Sequence, residues 1–241
     1  MRTLVVLPTY NEAENLALLL PALLALPLEI CVVDDNSPDG TGQLAEAWAA
    51  REPRVHVVHR PGKLGLGTAY LAGFQFALAR GYDAVLTMDA DFSHHPRYIP
   101  AMLAALNEAD LVIGSRYVPG GDVHYPLHRR LLSRIANWVA RTLLRLEPHD
   151  CTAGFRLYRA EVLRTVPIEA IRSNGYSFLV EMVNAVQQHG FRIREVPIVF
   201  EDRVRGTSKI SAAEIWRAVW TVLRLWRTRL SAQLRPRVAR R

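Results

Sequence analysis

The chain has 241 residues, with 30 Lys and Arg against 23 Asp and Glu, half of its side chains hydrophobic, and only Cys31 and Cys151 as thiols. That composition excludes a disordered or collagen-like chain, a disulfide-stapled scaffold and a cysteine zinc site, and it favours a reducing compartment. The formal charge of +7 is local, because the residues from Arg217 onward hold eight arginines and no acid, leaving 22 basic against 23 acidic side chains before them.

The first fifteen residues turn polar too early for a secretory signal. The apolar stretch 16–28 contains Pro21 and Pro27 and falls short of the roughly 20 residues that span a bilayer. A cytosolic protein without a spanning helix is therefore expected. Short β-rich runs then alternate with helix-period segments. Strands are predicted at 3–7, 30–33, 55–59, 84–88 and 111–114, and helices at 12–24, 42–50, 67–80 and 97–108. Pro21 should kink or shorten the first helix. The pattern predicts an α/β fold with a mainly parallel twisted sheet and helices on both faces. Beyond it come a helix at 127–146, a hairpin-like segment at 154–158, a helix at 177–189, a strand at 192–200, a polar loop at 201–208 and a terminal helix at 212–231. The expected organisation is one domain over residues 1–210 and a basic amphipathic C-terminal extension over 211–241.

Ligands of open α/β sheets bind beyond the carboxyl ends of the strands. Three predicted strand ends carry acids: Pro8-Thr9-Tyr10-Asn11-Glu12, the turn-rich run from Asp34 to Gly40, and Asp89-Ala90-Asp91. If extended geometry persists, Asp89 and Asp91 point the same way. Two carboxylates suit Mg²⁺, which completes its oxygen shell from substrate phosphates; two solvated acids are the plainer alternative. Ser93 reads equally as a helix N-cap ahead of Pro96, and His94 and His95 as surface loop histidines, because no third ligand joins them. Asp34 can accept from the N–H edge of a nucleobase or from ribose hydroxyls, and Glu12 can do likewise. Asp39 reads as a cap of the next helix.

Gly65 and Gly67 match a dinucleotide fingerprint poorly, since Tyr70 stands where the third glycine belongs. Their loop can still approach a ligand closely, and it carries Lys63. With 28 arginines in the chain, Lys63 and Lys209 are the sole lysines, which marks them as candidate point charges for phosphate. The helix at 127–146 bears Arg129, Arg130, Arg134, Arg141 and Arg145 without an acid. The terminal helix interleaves Trp216, Trp220 and Trp226 with Arg217, Arg224, Arg227 and Arg229. Each could be an ordinary packed helix, yet arginine with tryptophan suits an anionic membrane surface, and nucleic acid is the weaker alternative.

Five blocks in order carry a resemblance: 7–12, 33–41, Lys63 to Tyr70, Met88 to His94, and Gly114-Ser115-Arg116-Tyr117. They resemble the inverting family 2 glycosyltransferases of GT-A fold. The further blocks around Arg129 to Asn137, Thr152 to Arg159 and Asp202 to Lys209 are similar to those of dolichol-phosphate mannose synthases. The resemblance implies metal-dependent transfer of mannose from GDP-mannose to a polyprenyl phosphate. It implies Pro8, Tyr10, Glu12, Val32 and Asp34 around the guanosine. Asp89, Ala90 and Asp91 would face the diphosphate and sugar, with Mg²⁺ or Mn²⁺ on Asp91, Asp89 and Ser93, where some relatives have Gln in place of Ser93. Arg116, Arg129 and Ser133 would receive the acceptor phosphate, and Arg203 and Lys209 would close over the donor. The implied partners are an anionic membrane surface and, in some systems, a separate membrane subunit, but not nucleic acid. A UDP-glucose enzyme of the same class and a non-catalytic basic adaptor are the competing readings.

Overall fold

A computed structural model describes residues 1–201 and 212–234. The chain alternates β1 (Thr3–Thr9), α1 (Ala13–Leu24), β2 (Glu29–Asp34), α2 (Thr41–Ala49), β3 (Val55–His59), α3 (Leu66–Ala79), β4 (Ala84–Thr87), α4 (Ile99–Ala105) and β5 (Leu111–Ser115). There follow β6 (Asp122–His124), α5 (Leu127–Leu144), β7 (Arg156–Arg159), α6 (Ala160–Thr165), α7 (Tyr176–Gln188), β8 (Ile193–Pro197), β9 (Val199–Glu201) and α8 (Ala212–Leu234).

Seven strands form one sheet in the order β3-β2-β1-β4-β7-β5-β8. All neighbours are parallel except at β7, which runs antiparallel between β4 and β5. The central strands are apolar on both sides because both sides are covered. Along β1, Leu4 and Val6 enter one core with α3 and α7, while Val5 and Leu7 enter the other with α1 and α4. Gly73 lets α3 settle onto β1, since a Cβ there would stand 2.3 Å from Val6 Cγ1.

Three expectations need correction. The segment 154–158 is not a hairpin: its strand lies between β4 and β5, whose facing edges both lack partners without it. The predicted strand 192–200 divides at Ile198, whose N–H still donates to the Ser115 carbonyl at 3.0 Å while its own carbonyl accepts from Asp122 at 3.0 Å, so that β8 pairs with β5 and β9 leaves to pair with β6. Pro21 does not shorten α1, which continues to Leu24 with Leu16, Leu19, Leu20 and Leu23 buried against the sheet. Burial of those four leucines outweighs the one intrahelical bond that proline removes.

α8 packs on α5 and α7. Its Arg224 donates to Glu181 on α7 at 2.7 Å, and Ser173 joins the same carboxylate. Among the described residues no helix is long and apolar enough to cross a membrane. The proposed boundary at residue 210 lies outside the described residues.

Candidate active site

The strand ends of β1, β2 and β4 converge at the site, and the loop after each contains a non-glycine residue at positive φ. Asn11, Asn36 and Phe92 have φ of 61, 56 and 62°. Asparagine tolerates the left-handed region, whereas a bulky phenylalanine there is costly. The strain at Phe92 turns the chain between Asp91 and Ser93, and the extended geometry that would have pointed both acids the same way does not persist beyond the strand. β4 ends at Thr87, and Asp89 to Ser93 form a loop.

Within that loop the carboxylates differ. The Asp89 side chain is 31% exposed. Its backbone N–H donates to His94 Nδ1 at 3.0 Å, and Tyr70 reaches its Oδ1 at 3.5 Å. Asp91 is buried, and its Oδ1 accepts from the Ser93 backbone N–H at 3.1 Å and the Ser93 hydroxyl at 2.5 Å. Ser93 thus orients Asp91, and the N-cap position of the following 3-10 turn falls to His95. Gly154 closes the site from β7's side: a Cβ there would lie 3.2 Å from the Tyr70 hydroxyl and 3.7 Å from Asp89 Oδ1.

His94 is not a surface histidine. It is buried, stacked on Phe155 at 5.1 Å and met edge-on by Phe200. Burial holds its pKa below the ordinary value against the pull of Asp89 and Asp91. The ring therefore stays neutral, accepts at Nδ1 and fixes the backbone of Asp89. The sign follows: below the unfolded value of about 6.5 the unfolded chain takes a proton that the folded ring resists, so stability falls as pH drops through that range. His94→Gln is expected to flatten this part of the profile. Denaturant midpoints of both proteins between pH 7.5 and 5 measure it, and parallel curves would refute the assignment.

At the β2 end, Asp34 is buried and accepts from the Thr9 hydroxyl at 3.0 Å and from the Ser37 backbone N–H at 3.0 Å and hydroxyl at 2.6 Å. Val32, two residues back on the same strand, is wholly buried beneath it. Glu12 accepts from Asn15 at 2.7 Å. Asp39 ties two helices together, taking the Thr41 N–H and hydroxyl on Oδ1 and the Ala13 N–H on Oδ2. Burial opposes its ionisation, but these hydrogen bonds hold its pKa below the usual carboxylate range.

Sequence reasoning passed over Asp35. It forms a buried ion pair with Arg60 at 2.8 Å, a Coulombic contact in which the N–H vectors do not point at the oxygen. Burial pushes the Asp35 pKa up while Arg60 draws it down. Beside the pair, Lys63 Nζ lies 4.6 Å from the centre of the Tyr10 ring, so lysine and tyrosine bracket the β1 and β2 ends together. Pro8 and Tyr10 are half-buried there.

A second polar cluster is built by α5 and the segment after β5. Arg116 donates Nε and Nη2 to Asp150 at 2.7 Å each, and Nη2 also to Thr152 at 2.8 Å. Two of its three side-chain nitrogens are thus held inside the protein, where Arg116 anchors the segment, and Nη1 is the one left for the expected phosphate contact. The Ser133 hydroxyl accepts from Tyr117 at 2.7 Å and keeps its own proton to donate. Arg129 lies over the Tyr125 ring at 5.2 Å. Arg203 and Lys209 lie outside the described residues.

The donor set at Asp89 and Asp91 is all oxygen. Among the described residues no group of three or more His, Cys, Asp and Glu side chains gathers that could hold a metal ion. A closed structural metal cage does not fit. A hard cation taking one or two carboxylates, with its remaining ligands from substrate and water, does fit.

A sequence model of "Glycosyl transferase family 2" matches residues 4–166. The chain is 49% identical over 227 residues to "Undecaprenyl-phosphate mannosyltransferase" of Micrococcus luteus, covering 93% of each chain. Its fold is similar to glucosyl-3-phosphoglycerate synthase from Mycobacterium tuberculosis, solved with Mn²⁺, UDP and glucosyl-3-phosphoglycerate, at a TM-score of 0.67 and 20% identity over 93% of this chain and 79% of that one. It is similar as well to a mannosyltransferase from Pyrobaculum calidifontis in complex with GDP-Man and Mn²⁺, with a TM-score of 0.60 and 17% identity over 95% of this chain and 64% of that one. With its parallel sheet, the antiparallel β7 and the acidic loop after β4, the chain belongs to glycosyl transferase family 2 and is a glycosyltransferase of GT-A fold.

Proposed function

We propose that the protein transfers mannose from GDP-mannose to a polyprenyl phosphate, with inversion and with Mg²⁺ or Mn²⁺. The observation that carries this is the partly exposed Asp89 beside the buried, Ser93-oriented Asp91, on a chain that shares 49% identity with an undecaprenyl-phosphate mannosyltransferase over nearly its whole length. Pro8, Tyr10, Glu12, Val32 and Asp34 form the guanosine end and Lys63 the near edge of the diphosphate. Asp89, Ala90 and Asp91 hold the sugar-diphosphate, and Arg203 and Lys209 complete its charge neutralisation.

A bound divalent cation supplies further neutralisation of the leaving diphosphate. The rest follows from the chain's own groups. A phosphate monoester is already ionised near neutrality, its second pKa being about 6, so the acceptor needs aiming more than deprotonation. Arg129 and the donating hydroxyl of Ser133 do this from α5, while Arg116 holds the neighbouring backbone through Asp150. One in-line displacement then gives a β-mannosyl phosphate.

Delivery of a lipid-borne acceptor calls for a membrane-facing surface. α5 exposes Leu131, Ile135 and Trp138, and α8 exposes Trp216, Val219 and Trp220, both stripes flanked by arginines. We assign these faces to the cytoplasmic surface of an anionic membrane, where tryptophan and arginine are favoured.

Incubation with radiolabelled GDP-mannose, undecaprenyl phosphate and Mn²⁺, followed by organic extraction, is expected to move label into the lipid phase as the β anomer by NMR. UDP-glucose in the same assay is expected to leave the lipid phase unlabelled. Label from UDP-glucose alone, or an α linkage, would overturn the respective part of the reading.

A further inference from the structure

A second basic feature lies along α5. Loop residues 116–121 and α5 border an open pocket of about 430 Å³, within the size range of small-ligand sites. Arg134, Trp138 and Arg141 line it at successive turns of the helix, with Arg116, Asn137 and His149 completing the wall. None of the lining side chains is acidic. The acids nearby lie behind it and are already engaged, Asp150 with Arg116 and Glu195 with His149 at 2.9 Å. Arg134 rests over the Tyr117 ring at 5.8 Å and has no acidic partner among the described residues. Arg141 has none either: one Nη2 contact reaches the Glu147 carbonyl at 3.4 Å, and its Nε is buried without a hydrogen-bond partner.

Two guanidinium groups lining one pocket with no acid in its wall make an anion its natural complement. Of the three residues expected at the acceptor phosphate, Arg129 and Ser133 lie outside the wall, and Arg116, which lines it, already commits Nε and Nη2 to Asp150 and Thr152, so Arg134 and Arg141 are the cations of this wall without a partner acid among the described residues. At the rim, Trp138 is 66% exposed, and it continues the apolar stripe of Leu131 and Ile135. A ligand with a phosphate in the cavity and acyl chains along that stripe satisfies both surfaces.

We propose that this cavity is a subsite for the phosphate headgroup of an anionic membrane lipid, distinct from the lipid that is glycosylated. It rests on the membrane-facing reading of α5 and docks the helix at a defined depth and orientation. Diffuse surface charge gives attraction without orientation, whereas two arginines on one headgroup fix both.

The test is calorimetric titration of the full chain with dihexanoyl phosphatidylglycerol kept monomeric, beside dihexanoyl phosphatidylcholine and inorganic phosphate. Saturable binding of the anionic lipid is expected. It should weaken by more than about tenfold in Arg134→Gln/Arg141→Gln, and by less than about twofold in Arg145→Gln/Arg227→Gln, which removes the same charge from exposed positions outside the cavity. Unchanged binding in the first pair, equal losses in both pairs, or inorganic phosphate binding as tightly as the lipid would overturn the subsite. Sedimentation with phosphatidylglycerol vesicles separates the two levels. A wild-type chain that does not sediment sinks the membrane reading itself, whereas sedimentation with an unaltered titration in Arg134→Gln/Arg141→Gln sinks the subsite alone.

Discussion

Asp89→Asn is expected to lower mannosyl transfer by at least about a hundredfold while leaving thermal unfolding nearly unchanged. The substitution keeps the shape of the side chain and removes its charge. Its environment explains the separation of effects. Asp89 is partly exposed, and its fixed point is its backbone N–H on His94, which asparagine retains. The lost carboxylate acts where a nucleoside diphosphate departs, and charge placed there in a partly desolvated site is worth more than in water. Initial rates at saturating donor and acceptor measure it. Transfer at the wild-type rate would remove Asp89 from the chemistry. Asp91→Asn is a less clean probe, because the same carboxylate oxygen organises Ser93.

The second large effect is on stability. Asp150→Ala should destabilise the fold by about 3–5 kcal/mol, since it strands the nearly buried Arg116 without its counter-charge. For a chain of this size the melting temperature should fall by on the order of 10 °C. Replacing both partners, as in Arg116→Met/Asp150→Leu, should cost less than the single change, because no unpaired charge remains. The pH dependence has a definite sign. Burial works against ionisation of Asp150, yet the adjacent Arg116 and its hydrogen bonds hold the pKa below the usual carboxylate value. The contribution is therefore complete above the unfolded value of about 4 and is lost as pH falls through the lower folded value. Acid unfolding followed by circular dichroism should show this limb in the wild type and not in the double replacement. Equal melting temperatures for wild type and Asp150→Ala would show that the pair carries no net stability.

Both effects depend on residues that differ in how visible they were beforehand. Asp89 stands out in the sequence because an acid pair directly follows an apolar run, and ligands gather at such ends. Asp150 does not stand out. It lies 34 positions from Arg116, in a loop beyond α5, and nothing in its own neighbours announces a partner. The same contrast holds for the histidines. His94 and His95 are adjacent in sequence, yet one is buried on Phe155 and the other caps a surface turn. Their neighbours along the chain are nearly the same, and only the return of β7 and β9 over the loop separates them.

Sequence alone determined the α/β alternation, the strand ends that carry acids, and the two acid-free arginine helices, because each is a local pattern of polarity at a fixed period. It also located the family, through motifs in order. Tertiary structure decided what no local pattern encodes. It inserted β7 between β4 and β5, divided β8 from β9 at Ile198, took up the Arg116 fork on Asp150, and turned Asp91 onto Ser93. These are pairings between segments far apart in the chain or bends set by strain at a single residue, and their energies exist only once the sheet has brought the partners together. Composition showed two positive helices and a slightly acidic remainder; the fold made one flank of α5 a wall of an open pocket that Arg134 and Arg141 line together.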